Sequence, residues 1–243
     1  MALAGELFRI DTTVIMPAFV SQVKQQAARS YGAKVILTET RPQAEALAAS
    51  YAQAGAFFLH PSDHDSVIAG QGTLCLEALQ DDAKPDAIFA ACGGGGLLAG
   101  TLLAAQLAAP DACVYGCEPL QANDAARSVR QGSITGFDNT PPTIADGART
   151  LRITPRTFSY LERLSGFYEI PERDIIYWTQ WLQHLLKITI EPTAALAMAG
   201  AFAWLRGQTD KQCALVLISG GNVDAMTYER IWATSFLEQT PQL

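Results

Sequence analysis

Ala87–Ala91 is apolar from end to end and runs straight into Cys92-Gly93-Gly94-Gly95-Gly96-Leu97-Leu98-Ala99-Gly100. An apolar run that halts on four glycines and resumes with a helical pattern reads as strand, tight turn, helix. A strand with no polar face must be covered on both sides, which a parallel sheet between two helical layers provides. The same alternation recurs along the chain. Apolar strands are predicted at 12–16, 34–37, 87–91, 113–117 and 213–218. Helical patterns fall at 1–8, 17–31, 41–53, 71–80, 97–108, 123–131, 155–164, 172–187 and 193–206. Residues 132–148 form a Pro/Thr/Gly-rich loop, and polar residues at 60–67 interrupt the alternation. The expected fold is therefore a parallel-sheet α/β fold with a smaller part at 1–56 and a larger one at 57–243.

Composition excludes several functions. The 243 residues carry 17 Lys+Arg against 24 Asp+Glu, a net charge of −7, and 49% are apolar. That is too apolar for a disordered chain and too acidic for a nucleic-acid surface. No apolar run reaches the length of a membrane span, and the N-terminus has no basic segment leading a signal sequence. Five cysteines, an odd number lying mostly in apolar runs, fit reduced buried thiols in a cytoplasmic protein better than a disulfide framework. Cys113 and Cys117 have no second Cys/His pair to complete a zinc site. His60, His64 and His184 are read as solvated or internally satisfied.

Four adjacent glycines let successive amides converge on an anion at the positive end of the following helix. A phosphate cradle is the expected use. Which phosphate is left open by the residues themselves, because Gly94-x-Gly96-x-x-Ala99 also satisfies a relaxed dinucleotide fingerprint. Glu118, about twenty residues on, stands where a ribose-binding acid would.

Other segments bear on that choice. Pro17 through Lys24 with Tyr31-Gly-Ala-Lys-Val, His60-Pro61 with Val67-Ile-Ala-Gly-Gln-Gly-Thr73, and residues 91–100 occur in order. They are followed by Thr143-Ile-Ala-Asp-Gly147, Ile190-Glu-Pro-Thr-Ala194 and Ser219-Gly-Gly-Asn-Val-Asp224. Together these blocks resemble the fold-type II pyridoxal-phosphate enzymes, specifically the threonine/serine dehydratase and serine racemase family, over essentially the whole chain. The resemblance implies a fold like the tryptophan synthase β subunit. It implies that Gly93, Gly94, Gly95, Gly96 and the Leu97 amide hold the cofactor phosphate, and that Ser219 meets the pyridine nitrogen. Gly147 and Glu191 would lie near the ring, although Glu191 ahead of Pro192 also reads as a helix N-terminal charge. Glu118, Ala122 and Asp124 match the family's divalent-cation site for Mg²⁺ or Ca²⁺, hard oxygen donors all. Against that stands a simpler reading in which Asn123 or Asp124 caps the following helix.

The family's lysine motif and its SGNH loop are not found in these 243 residues, and Lys24, Lys34, Lys84, Lys187 and Lys211 lie outside any such motif. The expectation is an N-terminally truncated chain that exposes apolar surface and is inactive by itself. The implied parent activity is L-threonine/L-serine ammonia-lyase, giving 2-oxobutanoate or pyruvate plus ammonia. A serine racemase-type enzyme and a noncatalytic cofactor- or metal-binding remnant are the alternatives, with a dinucleotide oxidoreductase behind them. The expected partners are a small hydroxy-amino acid and a second copy in a homodimer, with no nucleic acid and no membrane.

Overall fold

The computed structural model describes residues 1–80 and 84–242, which divide into two compact units. The first comprises Met1–Leu59 with Asn222–Tyr228. It contains α1 (Ala2–Phe8), β1 (Thr13–Pro17), α2 (Gln22–Ser30), β2 (Lys34–Thr38) and α3 (Arg41–Gln53). β1 and β2 pair in parallel, in register from Thr13 with Lys34 to Pro17 with Thr38. α3 begins with a reciprocal cap, the Thr40 hydroxyl accepting from the Gln43 amide while the Gln43 side chain accepts from the Thr40 amide. α2 starts five residues later than its pattern suggests. Pro17 completes β1, Ala18 N–H donates to Thr38 O at 2.7 Å, and the Gln25 side chain donates to the carbonyls of Ala18 and Val20. These bonds hold residues 18–21 in a turn. Leu7, Phe8 and Ile10 are 70%, 75% and 64% exposed.

The second unit comprises His60–Gly221 with the residues from Glu229 onward. Its elements are α4 (Asp65–Gln80), β3 (Ala87–Ala91), α5 (Gly96–Ala108), β4 (Cys113–Pro119) and α6 (Asp124–Gln131). A 3-10 turn at Asp146–Ala148 follows, then α7 (Pro155–Leu161), β5 (Gly166–Ile170), α8 (Glu172–Leu186), α9 (Pro192–Leu205) and β6 (Ala214–Val216). A last helix, α10 (Ala225–Trp232), is divided between the two units after Tyr228. The strands form one parallel sheet in the order β5-β4-β3-β6. Every residue of the central β3 is buried, as its apolar composition requires.

Helices cover both faces because small residues let backbones approach. α4 crosses α5 at Gly72 and Gly100, where a methyl on Gly72 would stand 2.7 Å from the Gly100 carbonyl oxygen. α9, rich in buried alanines, lies on β3 and β4 with Gly200 against the Cys117 sulfur. Phe89 stacks on Tyr115 at 5.3 Å and meets Tyr168 and Trp204, tying β3, β4, β5 and α9 together. Each fully buried Phe, Leu or Ile of this core contributes about 1.5–3 kcal/mol.

Four further elements depart from the sequence reading. α4 begins at Asp65, six residues early, taking up part of the polar stretch. β5 was not expected: Gly166 and Glu169 break its pattern, and only Ile170 is buried on this edge strand. β6 spans three residues rather than six, and α10, eight residues long, lies outside the predicted helices. All five cysteines are free, and Cys75, Cys92 and Cys117 are buried. Cys113 and Cys213 are exposed instead, because Cys113 opens β4 and Cys213 directly precedes β6. No helix among the described residues is long and apolar enough to cross a membrane.

Candidate functional site

In a parallel sheet, ligands meet the loops at the C-terminal ends of the strands. β3 ends at Ala91 and β6 pairs with it through Phe89 and Val216, so the glycine turn and Ser219 emerge side by side. The turn is cramped on every side. A methyl on Gly93 would strike the Gly147 carbonyl, and one on Gly94 would strike Ser62. Gly95 has φ +84°, and a methyl there would lie 2.9 Å from Thr157 Cβ; at Gly96 it would lie 2.9 Å from Ser62 Cα. All four positions therefore exclude a side chain, and Gly95 excludes one on backbone grounds as well.

Gly95 is the N-cap of α5 and has no side chain with which to cap it. The first intrahelical bond runs from Ala99 N–H to Gly95 O at 2.9 Å. The amides of Gly96, Leu97 and Leu98 thus have no acceptor within the helix and stand at its positive end. Such an end fits a phosphate group, whose oxygens accept several N–H bonds at once.

The remaining sequence-predicted positions gather around this turn through the N-terminus of α9. Glu191 is its N-cap residue, yet its carboxylate does not cap it. Instead its N–H donates to Gly220 O at 3.1 Å, and a methyl on Gly220 would stand 2.8 Å from its carboxyl carbon. Thr193, two residues on, accepts from Gly147 N–H at 3.0 Å. One helix end thereby fixes both Gly147, which touches Gly93, and Gly220, next to Ser219. Gly147 and Ser219 are exposed and Gly93, Gly94 and Leu97 half-buried, so a ligand can reach all of them. Ser62, Thr157 and Thr193 were missed by sequence reasoning. Thr193 could have been found from its place in the first turn of a helix, whereas Ser62 and Thr157 have no local signal.

The acidic group forms a second cluster. Glu118, at the end of β4, is fully buried, and its two carboxylate oxygens accept from Ala125 N–H at 3.2 Å and Ala126 N–H at 2.8 Å. It therefore caps α6. Neither Asn123 nor Asp124 does so, which corrects the simpler expectation; the Asn123 side chain donates to Glu169 instead. Asp124 is also fully buried. Its Oδ1 accepts from the Thr150 hydroxyl at 3.2 Å, and its Oδ2 has no hydrogen-bond partner. Burial pushes the Asp124 carboxyl up to about 6. Burial first, and the neighbouring Asp124 charge second, push Glu118 well above the usual range. Two buried carboxylates beside one unpartnered oxygen suit a small divalent cation, with the carbonyl of the buried Ala122 as a third donor. Among the described residues no group of three or more His, Cys, Asp or Glu could hold a metal, so such a cation would depend on those oxygens.

The lysines are spread over both units. Lys24 and Lys34 belong to α2 and β2, and Lys187 ends α8. Lys84 and Lys211 precede β3 and β6, at the end of the sheet opposite the glycine turn. His60 Nδ1 accepts from Ser62 and Asp63 N–H, His64 Nδ1 accepts from Ser66 N–H, and His184 packs edge-on against Trp181.

The family model described as pyridoxal-phosphate dependent enzyme matches residues 1–220. An L-threo-3-hydroxyaspartate ammonia-lyase of Saccharomyces cerevisiae is 38% identical over 234 residues, covering 94% of this chain and 70% of that protein. A serine racemase of Schizosaccharomyces pombe is 37% identical, covering 94% of this chain and 71% of its own length. The crystal structure of a T.th. threonine deaminase superposes with a TM-score of 0.84 at 36% identity, covering 92% of this chain and 73% of that one.

Proposed function

Because the chain belongs to the pyridoxal-phosphate-dependent enzyme family, we propose that it serves a β-hydroxy-α-amino-acid ammonia-lyase, acting on L-threonine, L-serine or a hydroxylated analogue. The observation that carries this reading is the glycine turn, closed to side chains at Gly93, Gly94, Gly95 and Gly96 and opening onto uncapped amides of α5. When bound, the cofactor supplies a sink for the electrons left at the substrate Cα as its proton departs. The amides of Gly96 and Leu97, with the three glycines before them, bind and orient the phosphate. Ser219 is assigned to the ring nitrogen. A neutral hydroxyl leaves that nitrogen largely unprotonated, which moderates the sink and favours elimination, where a β-hydroxyl drains the electrons quickly. Gly147 and Glu191 are assigned to the surroundings of the ring.

No lysine of this sequence belongs to a motif of the family's lysine kind, so proton transfer at Cα is assigned to no residue of it. The 243 residues alone are expected to bind cofactor without turnover. Glu118, Asp124 and the Ala122 carbonyl are proposed to hold Mg²⁺ or Ca²⁺, on the strength of the unpartnered Asp124 Oδ2. A homodimer in the cytoplasm is the expected working form.

The kinship with serine racemases supports a second reading. Protein isolated from its native source, assayed beside the recombinant chain with L-serine, L-threonine and L-threo-3-hydroxyaspartate, separates the two. Equimolar 2-oxo acid and ammonia from any of them is the expected result. D-isomer without ammonia would establish racemisation, and neither product from cofactor-loaded native protein would refute both and leave a noncatalytic binding module.

A further inference from the structure

The glycine turn is held from outside by a segment with no regular structure of its own. Ser62 lies two residues after His60 and three before α4, and it is nine-tenths buried. It presses on two of the four glycines: a methyl on Gly96 would meet its Cα at 2.9 Å and its carbonyl oxygen at 3.1 Å, and one on Gly94 would meet its Cβ at 2.9 Å. No helix or strand places Ser62 there. One nitrogen does. His60 Nδ1 accepts from Ser62 N–H at 3.2 Å and from Asp63 N–H at 2.8 Å, with the Ser62 hydroxyl at 3.4 Å. Two backbone donors on Nδ1 require its lone pair, hence a neutral ring protonated at Nε2.

The far side of the turn is held by α7, where Thr157 and Leu161 pack on Gly95. The two supports are tied together. Arg156, next to Thr157, donates to Asp63 Oδ1 at 2.7 Å and also meets Asp65. The turn is therefore gripped between the 60–65 segment and α7, and the imidazole fixes the first of these supports. Amides that bind an anion only when convergent lose affinity when their frame slackens, since the cost of ordering them then falls on binding.

We propose that His60 is a positioning residue of the anion cradle: its Nδ1 sets Ser62 against Gly94 and Gly96 and so fixes the amides that receive a phosphate. This rests on the reading of the turn as a phosphate site. The test uses the full 243-residue chain and pyridoxine 5′-phosphate, which has no aldehyde and so reports binding without lysine chemistry, followed by calorimetry. His60→Ala should weaken binding about tenfold, while the melting temperature without ligand falls by less than about 3 °C. His60→Asn, whose amide oxygen can stand where Nδ1 does, should bind within about twofold of the parent chain. Ser62→Thr, which adds a methyl in the gap beside Gly94, should weaken binding with the fold intact and reads the same contact if His60→Ala fails to fold. Parent-like affinity in His60→Ala or, should that variant not fold, in Ser62→Thr would overturn the proposal. Equal losses in His60→Ala and His60→Asn would overturn it too, the acceptor then being irrelevant. A parent chain that does not bind at all would instead remove the phosphate reading on which the proposal stands.

Discussion

Adding one methyl group at Gly96 puts the cradle to a quantitative test. In Gly96→Ala the new carbon would sit 2.9 Å from Ser62 Cα, 3.1 Å from its Cβ and 3.1 Å from its carbonyl oxygen. Two of these are backbone atoms, so no rotamer change relieves the clash. Carbon contacts settle near about 3.5–4.0 Å, so the 60–65 segment or the turn must move by roughly 0.6 Å or more. Overpacking of this kind costs about 1–3 kcal/mol. The displacement falls on the amides meant to receive phosphate, so affinity for pyridoxine 5′-phosphate should drop by about 10–100-fold. Gly132→Ala is the control. Gly132, unlike Gly96, has a positive φ, +68°, but a Cβ there would meet open space, and it ends α6 far along the chain from the turn. It should lose about 1 kcal/mol of stability as a helix cap and leave ligand affinity unchanged. Calorimetric titration with a thermal melt of each variant decides the matter. Binding by Gly96→Ala within twofold of the parent chain would refute the reasoning, because the methyl group would then have found room that the packing denies.

Ser219→Ala should weaken binding of the same ligand several-fold without moving the melting temperature, as the loss of one neutral hydrogen bond costs about 1 kcal/mol; unchanged affinity would remove Ser219 from the site. Asp124 makes stability depend on pH in the direction opposite to a salt-bridged carboxylate. Its carboxyl titrates at about 6 in the folded chain against an ordinary 3.8, so the folded state keeps a proton the unfolded state has released, and stability falls as pH rises through about 6. Asp124→Asn should therefore match the parent chain near about pH 3.5 and exceed it by about 2–3 kcal/mol above about pH 7 in urea unfolding without divalent cations. Millimolar Mg²⁺ or Ca²⁺ should raise the melting temperature of the parent chain at neutral pH and not that of the variant. Gly72→Ala should force α4 from the Gly100 carbonyl and cost about 2–3 kcal/mol in the same assay; a cost under about 0.5 kcal/mol would show that the crossing has slack.

What could be read from the chain followed burial. β3 and α5 are recognisable because a strand buried on both faces has no room for a polar residue, and a phosphate-sized turn has none for a side chain. α3 is recognisable from its helical pattern, which stops at Gly55. β5 escaped because an edge strand tolerates Gly166 and Glu169, and β6 was overestimated because apolar residues continue past its last paired position. The four glycines marked the site, while the residues that shape it did not mark themselves. Ser62, Thr157 and Thr193 act through packing and single hydrogen bonds made across the fold, and a lone hydroxyl in a loop or a first helical turn looks the same whether or not it touches anything. Glu118 shows the converse. Its distance from the glycines suggested a ribose-binding acid, whereas its oxygens accept from the α6 amides beside the proposed cation site, a use set by how β4 meets α6.

The phosphate of pyridoxal phosphate is assigned to the turn from Gly93 to Gly96. Titrating the chain in parallel with pyridoxal phosphate and with pyridoxal, which lacks only the phosphate, tests that assignment directly, with borohydride reduction and intact mass measured on each sample. Pyridoxal phosphate should bind saturably at one site per chain, at least about 100-fold tighter than pyridoxal, given several charge-assisted N–H bonds to the phosphate. Reduction should give no stoichiometric attachment to a single lysine. Equal affinity for the two ligands would contradict the assignment.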